Sequence, residues 1–121
     1  MILRDFEKLT KENTNFRKVL LTNPLSQIVV MSIPKEQDIG EEIHEETDQL
    51  LFVIDGEAEV VIDGEVGKAE EEDVIIIPKG ARHNIKNSGD DDLKLLSIYT
   101  PPNHPDGTIH VTKEDAMSTE G

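Results

Sequence analysis

The sequence has no cysteine and no tryptophan, and only one tyrosine and three phenylalanines among its 121 residues. Without cysteine there is no disulfide, no thiolate nucleophile, no cysteine-ligated zinc and no iron–sulfur cluster. With so few aromatic rings, valine, isoleucine and leucine must fill the core, and these residues suit a pleated, half-buried surface. No apolar run approaches the roughly 18–20 residues that a membrane span needs. Residues 1–10 alternate charge with isolated apolar residues and hold no apolar core of a secretory leader. A chain without cysteine also fits a reducing compartment. The expectation is therefore a soluble, cytoplasmic protein with no membrane partner. Basic residues are scarce as well: Lys and Arg total 12 against 26 Asp and Glu, a formal charge of −14. Such a surface repels phosphate backbones, so no nucleic-acid partner is expected. The acidic residues gather at Glu41-Glu42, Glu45-Glu46, residues 70–73 and residues 90–92. The two later runs read as solvated turns; the first surrounds His44.

What the chain does have is a series of short runs rich in β-branched residues or leucine, at 16–21, 27–33, 49–54, 58–62, 74–77, 83–86 and 93–99. Turn residues separate them: Asn23-Pro24, Asp55-Gly56, Asp63-Gly64, Pro78-Lys79-Gly80 and Asn87-Ser88-Gly89. Asp-Gly between apolar runs signals a hairpin, because both central positions of the favoured turn take positive φ. Two such turns eight residues apart predict a meander, and many short strands at regular spacing predict a sandwich or barrel. No strand–helix alternation suggests a parallel sheet. The length suits one domain over 1–121, with a barrel core at about 16–100 and a C-terminal arm at 101–121. Residues 1–14 are polar and predict a short helix or loop, capped through Thr10. The arm opens on Pro101, Pro102 and Pro105, which remove ladder donors. Residues 112–121 predict one weak helical turn with a frayed end.

Histidine and carboxylate are the strong transition-metal ligands that remain. The four histidines are His44, His83, His104 and His110. His44 precedes Gln49 at the entry to one strand, and His83 follows the Pro-Lys-Gly turn at the entry to another. A barrel brings two such entries to one mouth, where ligand sites are often built. By spacing alone this is a weak signal, since a lone strand histidine is usually a surface or packing residue.

Two segments resemble the signature motifs of the cupin superfamily. Pro78-x-Gly80-x-x-His83-x-x-x-Asn87 matches the second motif in full, although Glu72 stands where the family usually has glycine six residues before the proline. The first motif, G-x5-H-x-H-x3–4-E-x6-G, is degenerate here. Gln49, seven residues before Gly56, takes the glutamate's place; His44 takes that of the second histidine; the first histidine's place falls on Glu42, with Gly40 nearby. The likeness runs from about Ser26 to Tyr99, and the following Pro-Pro-x-His-Pro-x-Gly segment is similar to a tail of some small, single-domain bacterial cupins. It implies an all-β fold, an antiparallel double-stranded β-helix or jelly-roll barrel.

The resemblance further implies a divalent transition metal (Zn, Mn, Ni or Fe) on His44, Gln49 and His83. Two imidazoles and an amide bring no negative charge and bind more weakly than the family's three histidines and one glutamate. Glu42 and Glu46 each lie two residues from His44, so an extended backbone points both to its face. Either could be a fourth ligand: Glu42 has the motif register, but Glu46 is slightly preferred, because Glu41-Glu42 can still belong to the Gly40 loop. Glu46 and His104 are the candidate catalytic groups, His104 as part of an arm folded over the mouth, although a plain solvent role is the default for both His104 and His110. Asp48, Lys79 and Arg82 flank the mouth and read as surface residues, Arg82 in an exposed salt bridge. Asn87 reads as a turn residue satisfying local backbone.

The implied function is a metal-dependent enzyme, an isomerase or oxygenase, acting on a small polar metabolite such as a sugar phosphate (as in proteins like mannose-6-phosphate isomerase) or a keto or hydroxy acid. The alternatives are a non-catalytic barrel that binds a small molecule and a barrel whose site has decayed. Exposed strand edges are commonly covered by pairing, and small cupins often exchange N-terminal strands, so a homodimer through residues 16–21 is expected.

Overall fold

The computed structural model describes the backbone of residues 1–120 and the side chains of residues 1–118. Helix α1 (Phe6–Glu12) leads into β1 (Arg17–Thr22) and β2 (Gln27–Ile33). Then come β3 (Glu42–Ile43), β4 (Asp48–Asp55), β5 (Glu57–Ile62), β6 (Glu65–Glu70), β7 (Val74–Ile77), β8 (Arg82–Asn87) and β9 (Leu93–Thr100). A short β10 (Ile109–His110) and helix α2 (Lys113–Glu120) end the described chain. Two antiparallel sheets face each other. One has the order β10-β1-β2-β9-β4-β7, the other β3-β8-β5-β6. This is the expected jelly-roll. Among the described residues no helix is long and apolar enough to cross a membrane.

The strands form where apolar residues recur at every second position. On β2, Val29, Met31 and Ile33 point inward and are fully buried; on β4, Leu51 and Val53 do the same. They meet Ala58, Val60 and Ile85 of the smaller sheet in one aliphatic core. The alternate residues Val30 and Leu96 join Ile54, Leu20, Ile28 and Phe52 in a second cluster, on the other face of the larger sheet. Lys94 is buried among these strands and ties the N-terminal segment down: its Nζ donates to the Asn13 carbonyl at 2.7 Å and to Ser32 Oγ at 2.9 Å. Thr10 does not cap α1. Its hydroxyl donates one turn back to the Phe6 carbonyl at 2.6 Å, inside the helix.

The two Asp-Gly turns differ. Asp63-Gly64 is the expected two-residue hairpin, with φ of 47° and 84°, and closes β5 on β6 in register. Asp55-Gly56 closes no hairpin, so the predicted meander is broken there. β4 pairs with β7 and β9, whereas β5 pairs with β6 and β8, and the chain crosses from one sheet to the other at Gly56. Gly56 has φ 101°, and a Cβ there would stand 3.1 Å from Leu93 Cα and 3.2 Å from the Asp92 carbonyl. Strand β6 was not expected. It is an edge strand with almost every residue exposed, so it carries no apolar alternation, and its charges protect the edge from pairing with other chains.

The C-terminal arm is more ordered than a loop. Residues 101–108 form no strand, but His110 and Ile109 pair with Arg17 and Lys18, and Ala116 of α2 is buried in the main core. α2 is longer than the one turn expected. The predicted frayed end includes Gly121, which lies outside the described residues.

The two glycines give a test of the sheet crossing. Gly64→Ala meets only backbone strain, about 1 kcal/mol, since nothing lies within 4 Å of its Cβ position. Gly56→Ala adds a backbone clash and is expected to cost about 2 kcal/mol or more. Urea midpoints of the two variants check the order; a costlier Gly64→Ala would contradict the crossing at Gly56.

Candidate metal centre

The register of β3 on β8 builds the centre. Glu42 lies directly opposite His83, and Ile43 opposite Arg82. Neighbouring antiparallel residues project to the same face, so the carboxylate and the imidazole share the barrel mouth. His44 follows β3 at once. Its carbonyl accepts the Gly80 N–H at 2.7 Å, and Asp48 Oδ1 accepts the Lys79 N–H at 2.9 Å. These bonds hold the loop carrying His44 against the Pro78-Lys79-Gly80 turn that carries His83. One ligand atom each from Glu42, His44 and His83 lies within 4.8 Å of the others, with both histidines buried and Glu42 half-buried. Small side-chain rotations bring such a set to the roughly 2.0–2.2 Å at which nitrogen and oxygen donors bind a divalent ion.

The donor chemistry fits a cation. His83 Nδ1 lies 3.0 Å from the Ala81 carbonyl, which can only accept, so Nδ1 carries the proton and Nε2 keeps its lone pair. His44 Nε2 is buried with no hydrogen-bond partner. Gln49 donates Nε2–H to Ser97 Oγ at 2.9 Å, which leaves Oε1 buried and without a donor. Two such orphaned atoms are costly unless something binds them. Both histidines of this group are neutral. Burial, followed by the charges of His83 and Arg17, lowers His44 to about 4; burial also lowers His83, partly offset by its bond to Ala81.

The expected site residues fall in different places. His44, Gln49 and His83 are all buried at this end of the barrel. The carboxylate that meets the histidines is Glu42 and not the preferred Glu46. Alternation ends at His44: the backbone bends at Glu45-Glu46, so Glu46 turns out to solvent, where it lines a shallow depression with Thr47, Pro101, Pro102 and Asn103.

His104 and His110 are buried, contrary to the solvent role taken as their default. Gln27, fully buried, clamps the arm: its Oε1 accepts the His104 N–H at 3.0 Å and its Nε2 donates to the His104 carbonyl at 2.7 Å. The His104 ring then stands edge-on to Tyr99, with centroids 5.1 Å apart and Nε2 3.4 Å from the phenol oxygen. Tyr99 is edge-on to His44 at 5.7 Å, and His44 lies 5.1 Å from His83. Four rings thus run from the arm to the centre. Burial, followed by the charge of Arg17, lowers His104 to about 3. Arg17 is the interior residue the sequence reading passed over. The signal was its phase: it lies two residues from buried Val19, so it faces inward on β1.

Of the flanking residues, Arg82 pairs on the surface with Glu41 at 2.6 Å, as expected. Asn87 reaches further than a local turn: besides accepting the Gly89 N–H, it donates to the carbonyls of Asp91 and of distant Ile33.

Comparison with known proteins agrees with this architecture. A family model described as the cupin domain matches residues 29–99. The uncharacterized protein YrkC of Bacillus subtilis is 39% identical over 96% of this chain, which spans 66% of YrkC's length. A solved structure, BH2720 of Bacillus halodurans, is 40% identical, with a TM-score of 0.95 over 97% of this chain and 93% of that one. A predicted oxalate decarboxylase of Thermotoga maritima shares the fold, with 23% identity and a TM-score of 0.66 over 71% of this chain and 79% of that one.

The buried neutral histidines predict acid sensitivity. In the unfolded chain His44 and His104 titrate near the ordinary 6.5, whereas the folded protein holds them at about 4 and about 3. Below 6.5 the unfolded state therefore binds protons that the folded state does not, and stability falls from pH 6.5 toward 4. Between pH 7.5 and 5 the metal-free protein is expected to lose at most about 2 kcal/mol per histidine. Urea unfolding at the two pH values, with His104→Gln alongside, checks this. The variant's loss should be smaller than the wild type's, by the share of one of the three lowered histidines, His44, His83 and His104; an equal loss would show that His104 is not held neutral.

Proposed function

This chain belongs to the cupin family, and on that premise we propose that Glu42, His44 and His83 hold a divalent transition metal through which the barrel acts on a small polar metabolite such as a keto or hydroxy acid. The observation that carries this reading is the meeting of one carboxylate and two neutral imidazoles at the barrel mouth. Glu42 supplies the negative charge that two imidazoles and an amide lack. Gln49, whose Oε1 is buried without a donor, would be a fourth, neutral ligand. When bound, the metal supplies Lewis acidity toward an oxygen of the ligand.

The chain's own residues do the rest. The Ala81 carbonyl fixes the His83 tautomer. The Gly80–His44 bond sets the distance between the two histidines. The Tyr99 and His104 rings close the interior behind His44 and keep water from its imidazole.

A second reading, binding without turnover, is favoured by one observation. Neither expected proton-transfer group is placed for the work: Glu46 faces solvent and His104 is held neutral against Tyr99. We also propose a homodimer, joined through β7 and not by the expected exchange of residues 16–21, because β1 already pairs with β2 and β10 of its own chain. It is supported by β7, an edge strand that exposes Val74 (45%) and Ile76 (64%). Light scattering should give twice the chain mass, and Ile76→Glu should give monomer; a monomeric wild type contradicts it.

Metal analysis and melting test the main reading. Protein purified without a His tag should take up about one Zn²⁺, Mn²⁺, Ni²⁺ or Fe²⁺ per chain. At 100 times its dissociation constant the ion should add about 2.7 kcal/mol of stability, a rise on the order of 10 °C in Tm. His83→Ala should abolish the rise. Gln49→Leu should weaken binding by about tenfold, and Gln49→Glu should tighten it. No uptake and an unchanged Tm would overturn the metal site. Incubating the loaded protein with a panel of keto and hydroxy acids, followed by proton NMR, separates turnover from binding.

A further inference from the structure

The outer face of the larger sheet carries two straight rows of apolar side chains. Cross-strand register sets Ile28 beside Ile98, Ile98 beside Leu50 and Leu50 beside Ile76. Two residues along each strand, Val30, Leu96, Phe52 and Val74 form the second row. Both rows run through β2, β9, β4 and β7 in that order. Directly opposite residues stand about 5 Å apart on one face, so the eight side chains make a continuous grid, and none is charged. The inward residues of the same strands, among them Val29, Leu51 and Ile77, already fill the core. The chain covers the grid only in part. Helix α1 packs on β9, β4 and β2, where Lys94 ties Asn13 to the sheet, and Val30 and Leu96 are buried. Ile28, Leu50, Phe52 and Ile98 stay half-buried, and Val74 and Ile76 stand 45% and 64% exposed. The edge strands are treated unequally: β6 is lined with Glu65, Lys68 and Glu70, whereas β7 reads Val-Ile-Ile-Ile.

We infer that two copies of this chain stack these outer faces on one another, so that the homodimer contact runs from β7 across β4, β9 and β2. The inference rests on the homodimer reading and adds which surface meets which. Charge selects the occupant. At −14 per chain, two copies repel wherever their acidic turns meet, and the grid lets them approach with no like charges opposed. A basic partner would gain more on the acidic turns than on an uncharged face. The geometry suits a second copy as well. Sheets stack about 10 Å apart when the side chains between them are apolar and interdigitate, and a two-fold axis brings the rows of one copy onto the same rows of the other. Edge-to-edge pairing of β7 would satisfy its backbone but leave Ile28, Ile98 and Leu50 uncovered. Stacking covers them and also removes Val74 and Ile76 from water, the larger hydrophobic gain.

Light scattering gives the mass, and isotope-filtered NOE spectra of a dimer mixed from labelled and unlabelled chains locate the contact. Twice the chain mass is expected, with NOEs between subunits from the methyl groups of Ile28, Ile98 and Leu50 as well as Ile76. Ile28→Lys should weaken the dimer by at least about tenfold, because it buries an unpaired charge in the contact. β2 lies three strands, about 14 Å, from β7, so edge pairing would not feel that change. If Ile28→Lys fails to fold, the wild-type NOEs decide. A dimer whose NOEs are confined to β7, or an Ile28→Lys variant that dimerises like the wild type, overturns the stacked face and leaves the homodimer standing. A monomeric wild type overturns both.

Discussion

The centre depends on a single register: Glu42 opposite His83 across β3 and β8. β3 has only two residues, so it contributes little to the sheet as a strand. Its role is to set one carboxylate against one imidazole and to deliver His44 one residue later. A slip of one residue would turn Glu42 out to solvent and bring Ile43 in. The bonds from Gly80 to His44 and from Lys79 to Asp48 guard against that slip. The loop before the first ligand strand and the turn before the second are thus one unit, and Asp48, which reads as a surface residue, is part of its clasp.

Behind the centre the barrel interior is polar where an aliphatic filling would be expected. His44, Tyr99 and His104 follow one another, with Gln27, Arg17 and His110 beside them, all buried. Neutral imidazoles can be buried at modest cost if their nitrogens are satisfied. The protein meets that condition for His104 through Tyr99 and leaves it unmet for His44 Nε2. The unmet atom is the one left available for the proposed ion. Gln27 makes the arrangement possible by holding both backbone groups of His104. The arm is therefore a wall of the site and not an appendage.

The strands of the core were legible because their inward residues alternate with outward ones, as in Val29, Met31 and Ile33. His83 was legible through the Pro78–Asn87 motif. Glu42 against Glu46 was not decidable by counting residues, since both lie two from His44; the difference lies in a bend at Glu45-Glu46 and a cross-strand pairing, neither of which leaves a local mark. Asp55-Gly56 and Asp63-Gly64 are the same dipeptide with different outcomes, because pairing partners far along the chain decide whether a positive φ closes a hairpin or crosses between sheets. β6 was hidden by its charges. Arg17 and His104 were hidden by the rule that charged and titratable side chains are usually exposed. The burial of Arg17 follows from β10 folding back on β1, a contact between residues 93 positions apart, and that of His104 from the Gln27 clamp 77 positions away.

The most direct test is the position of the ion itself. Crystals of the protein loaded with Zn²⁺ or Mn²⁺, measured at the metal's absorption edge, should give one anomalous peak per chain. The peak should lie about 2.0–2.2 Å from His44 Nε2, His83 Nε2 and a Glu42 carboxylate oxygen. A peak coordinated by Glu46, a peak confined to the acidic surface runs, or no peak at the barrel mouth would contradict the account.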